Sequence, residues 1–279
     1  MVGPKVTPDK GVTIYWYDRT QGPLSAMCCP AALIYRNYFF GGNGQGGDGK
    51  QLDCLDDVAR LLGPPNTYWR MSNGYALPKT TTSMAKVTEQ LNASAELKEK
   101  VVSKLRVGIH WDTDVTKRRG DPHRVCQVFV SAVPVAYTKS TKSKDWATFA
   151  TLVLNGAYEA TILAAAILAQ QRKQRVTVYL TSVGGGAFGN RFAWIRSAME
   201  RALQMYNDEP LDVFLVHYGH IASDSRAIES SFKAKHQRPP PPSSSSSPPA
   251  ADDAAEIGGA GAEAGGGAAG AAGAAGAAG

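Results

Sequence analysis

Residues 178–203, VYLTSVGGGAFGNRFAWIRSAMERAL, place four glycines (Gly184, Gly185, Gly186 and Gly189) between an apolar β-branched run and a helical pattern. Glycine adopts backbone conformations closed to other residues and lets another group approach the main chain. One glycine suffices to turn a strand into a helix, so four in six positions favour a ligand lying against the loop. The helix that follows exposes unpaired N–H groups and partial positive charge at its start, and such ends hold anions. The chemistry is that of a phosphate cradle built from the backbone of Gly184 to Gly189. Ala187 and Phe188 lie within the loop, and Asn190 stands where an N-cap belongs. The competing reading is a tight turn with no ligand.

Gly184, Gly186 and Gly189 also satisfy G-x-G-x-x-G after a strand and before a helix. A dinucleotide-binding oxidoreductase further needs an acid at the end of the next strand, to hold the ribose 2′-hydroxyl. Here the next strand ends in VHYGH, and its one acid, Asp212, stands at the start. A Rossmann-like NAD(P) enzyme is therefore the alternative and not the first reading. No GK[ST] follows the loop, which excludes a P-loop.

Other reactive side chains are weaker candidates. His217 and His220 form HxxH at a strand end, but Asp224 is the only acid nearby, so no metal is assigned. Ser25 and Ser131 lack a nucleophile-elbow setting. Cys28, Cys29, Cys54 and Cys126 show no CxxC and no zinc spacing, and they read as reduced thiols of a cytoplasmic or nuclear protein. Asp53, Asp56 and Asp57 fall on one side of a helical stretch, opposite its leucines, which is the pattern of a solvated face.

Elements must hold the loop in place. Val176, Val178, Tyr179, Leu180 and Val183 read as a buried strand, and Ile195, Ala198, Met199, Ala202, Leu203 and Tyr206 form one helical face, leaving Arg191, Arg196, Glu200, Arg201 and Gln204 wet. Upstream, 125–137 reads as a strand continuing past Pro134 and 146–171 as an Ala- and Leu-rich core helix. Residues 211–218 form a further strand. That order predicts parallel strands joined by helical crossovers, with ligands at the carboxyl ends of the strands. In the first half, Val12 to Tyr17 and KLRVGIHWD read as strands, 52–62 and 83–103 as helical, WRMSNGYALP as irregular or β with an Asn-Gly turn, and GGNGQGGDGK as a second glycine-rich loop. Leu24 to Phe40 is apolar without a decided type.

VYLTSVGGGAFGN resembles the second phosphate-binding loop of the macrodomain superfamily, with the strongest likeness to the poly(ADP-ribose) glycohydrolase-like branch. NGAYEATILAAA is similar to that family's helix before the loop, and LDVFLVHY to the strand after it, so residues 125 to 218 carry the resemblance. It implies a three-layer α/β/α fold with a mixed, largely parallel sheet, and binding of ADP-ribose or a related nucleotide. It also implies that the Gly184–Gly189 backbone holds the diphosphate and that Phe188 packs on the distal ribose. IYRNYF at 34–39 would stand for the Asn-bearing strand, bringing Asn37 to the ribose, and 41–53 for the first glycine loop. The glycohydrolases carry a Gln-Glu-Glu signature just past that loop. Here Gln51 is followed by Leu52 and Asp53, so the signature is absent, and a hydrolytic role would fall to Asp53 as acid with Gln51 as orienting amide.

From Pro239 the chain runs through Pro/Ser and then Ala/Gly repeats with almost no large apolar side chains, which predicts a disordered tail over 239–279 and a single α/β domain over 1–238. The tail carries four acids (Asp252, Asp253, Glu256 and Glu263) and no Lys or Arg, which leaves 30 basic against 20 acidic residues before it. This excess favours polyanionic partners, an ADP-ribosylated protein or a nucleic acid among them. Pure nucleic-acid binding is a third class resting on charge alone. No apolar stretch is read as reaching membrane-spanning length, and no cofactor is called for.

Overall fold

The computed structural model describes residues 25, 27–42, 52–72, 74–117, 120, 122–217, 221 and 223–236. The expected strand at 12–17, positions 43–50 of the second glycine-rich loop, Gln51, His220 and the tail at 239–279 lie outside them.

The chain is a mixture of helices and short strands. The undecided apolar run becomes helix α1 (Pro30–Tyr38), with Pro30 at its first turn, and a 3-10 turn at Phe40–Gly42 follows. The expected Asn-bearing strand is therefore a helix, and Asn37 sits on α1. Helix α2 (Asp56–Leu62) buries Val58 and Leu62 and stops at Gly63. Leu52, expected on its stripe, precedes it and is exposed. WRMSNGYALP is a hairpin, β1 (Trp69–Ser72) against β2 (Tyr75–Pro78), with Gly74 at φ 78° in the turn. The helical stretch at 83–103 is two helices, α3 (Ser83–Asn92) and α4 (Ala95–Lys104), and Ser94 caps the second by accepting from the Leu97 N–H at 3.1 Å.

Strand β3 (Gly108–Asp114) pairs antiparallel with β4 (Arg124–Phe129) across a bulge between His110 and Thr113. The strand expected to run past Pro134 ends at Phe129. Pro134 has no N–H to offer a ladder, the Val135 N–H turns back to the Val133 carbonyl at 3.0 Å, and Val135–Tyr137 forms a 3-10 turn. Helix α5 (Ser143–Arg172) has 30 residues and ends in the left-handed Lys173 at φ 52°. Its most apolar 18-residue window has a mean hydropathy of 1.7, long and apolar enough by composition to cross a membrane, contrary to the sequence expectation. Of that window 61% is buried within the protein, and Trp146, Phe149, Leu154, Tyr158 and Ile162 are core residues.

Strand β5 (Val176–Thr181) and β6 (Leu211–Val216) pair in parallel, Val176 opposite Leu211 through Thr181 opposite Val216. Between them runs α6 (Phe192–Met205), whose Ile195, Ala198, Met199 and Ala202 are buried as the spacing required. Helix α7 (Ser223–His236) completes the described chain. The strands form three separate two-stranded ladders, two antiparallel and one parallel, so β4 is not a hydrogen-bonded neighbour of β5 among the described residues.

Two apolar clusters result. One gathers α2, the β1–β2 hairpin, α3 and the first half of α5; the other gathers the second half of α5, β5 and α6. Trp194 packs on both, and the segment 132–135 gives Ala132 to one and Val133 and Val135 to the other.

Candidate functional site

The glycine loop leaves β5 at Thr181 and enters α6 at Phe192. Its root is clamped by the buried Tyr158 of α5. The Tyr158 hydroxyl donates to the Thr181 carbonyl at 2.6 Å and accepts from the Val183 N–H at 3.0 Å. Burial, the larger influence, pushes this phenol above its usual range, against the pull of the Val183 N–H.

The four glycines have different reasons to be glycine. Gly184 has φ 79°, and a Cβ there would lie 2.3 Å from the Ala132 Cβ and 2.7 Å from Asn190 Nδ2. Gly189 has φ 70°, and its Cβ would lie 2.8 Å from the Ala136 Cβ. Gly185 is tight against Ile195, 3.1 Å from Cδ1. Packing and turn geometry require glycine at 184 and 189, while a Cβ at 185 asks the tip of Ile195 to yield by a few tenths of an ångström. At Gly186 a Cβ would meet nothing within 4 Å, and φ is not in the left-handed region. Nothing inside the fold demands glycine there.

Asn190 is not the N-cap. That position is Arg191, which makes no side-chain cap bond, while Asn190 is buried. Its Nδ2 donates to the Val133 carbonyl at 2.9 Å and the Gly184 carbonyl at 3.3 Å, pinning the loop to the 132–137 segment. Its Oδ1 is buried without a hydrogen-bond partner. The loop closes through Gly185 N–H to the Ser182 carbonyl, Gly189 N–H to that of Gly186, Asn190 N–H to that of Gly184, and Ala136 N–H to that of Phe188. The N–H groups of Gly186, Ala187 and Phe188 donate to no protein acceptor among the described residues. Gly185, Gly186 and Ala187 are exposed. Three consecutive N–H groups without a protein acceptor precede the uncapped helix start, and groups of this kind can donate to an anion.

Phe188 is already packed among rings. Tyr75 and Tyr137 lie edge-on to it, with centroids at 5.7 and 5.3 Å, and to each other at 5.2 Å. Burial first, and the neighbouring Tyr137 phenol second, raise the Tyr75 phenol above its usual range. Neither tyrosine stands out in the sequence as a neighbour of the loop. The Asn-Gly turn was the available signal for Tyr75, since it starts the second strand of a hairpin, but nothing in the spacing shows that this strand meets the loop.

Among the described residues, no contact joins Asp53 to the loop. Asp53 accepts from the Leu55 N–H at 2.8 Å, and the charged side chains acting on it are Asp56 and Arg106. Burial, its largest influence, holds the Asp53 carboxyl above the usual carboxylate range. Asp56 pairs with Arg60 at 2.8 Å and Asp57 with Arg106 at 2.6 Å, the behaviour of a solvated face. Asp212 is held by Arg175 at 2.7 Å and stands opposite Thr177, near the start of the parallel pair and away from the loop. Of the positions expected to be wet on α6, Arg201 is half-buried and bridges to Glu159 of α5 and, at 3.8 Å, to Glu99 of α4. All four cysteines are free thiols. A separate groove of about 480 Å³ lies between β6 and α7, lined mainly by apolar side chains such as Leu203, Val213 and Phe232, with His217 among them. Comparison with protein-family models, with curated proteins and with solved structures finds no match to this chain.

Proposed function

We propose that the chain is a macrodomain-like module that binds ADP-ribose or a related nucleoside diphosphate through Gly184–Asn190. The observation that carries this reading is the run of three open N–H groups at Gly186, Ala187 and Phe188, beside a glycine that packing does not require. A three-layer α/β/α arrangement with a largely parallel sheet belongs to the same proposal, with β5 and β6 as its parallel nucleus. The position of Asp212 speaks against the NAD(P) oxidoreductase, because its carboxylate is committed to Arg175 at the wrong end of the strand. Free thiols accord with a cytoplasmic or nuclear setting, where the partner would be an ADP-ribosylated protein or a nucleic acid. Hydrolysis of ADP-ribosyl bonds is a second reading, with Asp53 as the acid; burial raises its carboxyl pKa as a general acid requires, but no contact among the described residues brings it to the loop.

Calorimetric titration with ADP-ribose and with NAD tests the binding. The expected result is saturable binding of ADP-ribose, weakened more than tenfold, about 1.4 kcal/mol or more, in a Gly186→Glu variant with an unchanged melting temperature. Failure of the parent to bind ADP-ribose, or tighter binding of NAD with hydride transfer, overturns the proposal. Asp53→Asn should abolish turnover and spare binding if the chain is a hydrolase; turnover that persists removes Asp53 from the mechanism.

A further inference from the structure

The stretches of chain that meet at the glycine loop carry charge of one sign. The Ala136 N–H donates to the Phe188 carbonyl at 2.9 Å, and the Tyr75 and Tyr137 rings pack on Phe188. Residues 64–88, 127–144 and 181–199, which supply these contacts, contain no Asp or Glu. The acids that follow two of them are engaged, Asp145 with the Lys142 N–H at 3.4 Å and Glu200 with Arg196 at 3.0 Å. Three cations stand near the rings. On the β1–β2 hairpin Tyr75 lies opposite Ser72 and Arg70 opposite Leu77, so Arg70 and Tyr75 share a face, while Trp69 and Ala76 are buried on the other. Lys139 stands in the turn just after Tyr137. Arg191 follows the loop, its guanidinium 5.7 Å from the centre of the Trp194 ring. Arg70, Lys139 and Arg191 are exposed and make no ion pair among the described residues. The Tyr137 ring is 46% exposed.

Cations without carboxylates among them leave an uncompensated positive field, which gathers polyanions. An exposed ring beside such cations adds a flat surface on which a base can stack. We infer that this face binds single-stranded nucleic acid, with one phosphate at the N–H groups of Gly186, Ala187 and Phe188 and an adjoining base against Tyr137. Arg70, Lys139 and Arg191 meet the flanking phosphates. The strand must be single because the faces of paired bases are covered by their own neighbours, and only unstacked bases can lie on a side-chain ring. An acidic peptide would meet the same cations and leave the rings unused. This inference rests on the anion-binding reading of the glycine loop and adds to it a polymeric partner and the residues that would hold it.

Fluorescence anisotropy tests the face with labelled oligothymidylate, with the same strand paired to oligoadenylate, and with a polyglutamate peptide. A duplex carries the denser charge, so electrostatics alone would favour it. The parent should instead bind the single strand roughly tenfold or more tightly than either competitor, and ADP-ribose should displace it. Tyr137→Ala should lose roughly tenfold in affinity for the strand. Arg70→Gln and Lys139→Gln should each lower the slope of log affinity against log salt by about 0.7, with the melting temperature and ADP-ribose affinity of the parent. A parent that binds ADP-ribose but not the strand overturns the inference and leaves the loop reading standing. So does a parent that binds duplex or peptide as tightly as the strand, strand binding that ADP-ribose does not displace, full affinity in a folded Tyr137→Ala variant, or an unchanged salt slope in both Gln variants. A parent that binds neither strand nor ADP-ribose sinks both readings.

Discussion

The loop glycines differ in what replacing them would do. Gly184→Ala forces a methyl group into Ala132 and Asn190 at a left-handed backbone position. Overpacking and that conformation together should cost about 3 kcal/mol, measured as a fall in the denaturant midpoint. Gly186→Ala meets no neighbour, so its stability should stay within about 0.5 kcal/mol of the parent. Gly185 is a less clean probe of binding, because a side chain there must displace the tip of Ile195. Asp53 offers a test in pH. A carboxyl whose folded pKa exceeds its unfolded value favours folding while protonated. That contribution is complete below the unfolded pKa of about 3.9 and is lost as the pH rises through the folded value. Asp53→Asn keeps an oxygen for the Leu55 N–H and cannot ionise. Urea midpoints of variant and parent should converge near pH 4 and separate in favour of the variant by pH 7.

At the scale of elements, the root of the loop is held by α5 through one hydroxyl. Tyr158→Phe removes the bridge between the Thr181 carbonyl and the Val183 N–H and should cost about 1–3 kcal/mol of stability, read by thermal melting. It should also speed amide exchange at Val183. Elements whose signal is local were legible in the sequence. The stripe from Ile195 to Ala202, the Ala-rich helix and the hairpin around Gly74 follow from periodicity and turn chemistry. What was not legible depends on partners distant in the chain. Nothing in VCQVFV tells that it pairs antiparallel with IHWDTD across a bulge. IYRNYF is apolar enough to be a strand or a helix, and Pro30 decides for a helix by starting one. Asn190 has the residue type of an N-cap, yet it serves Val133, a carbonyl 57 positions away. The aromatic group around Phe188 was hidden for the same reason.

Across the whole molecule, the two apolar clusters meet at Trp194 and at residues 132–135, immediately beneath the glycine loop. The loop therefore sits on the joint between them. Trp194→Ala should lower stability by about 2 kcal/mol while calorimetry still records a single transition, because Ala132, Val133 and Val135 continue to link both clusters. Two resolved transitions would show that the clusters unfold independently. The outer face of the parallel pair has a separate practical meaning. Tyr179, 69% exposed, stacks on Phe214 at 5.7 Å, whereas Tyr158 is 2% exposed on the inner side. The protein thus carries its own footprinting reagents. A mild phenol-modifying agent should label Tyr179 early and Tyr158 only on unfolding. Protection of Tyr179 in a cell extract would report directly that something had come to rest on that face.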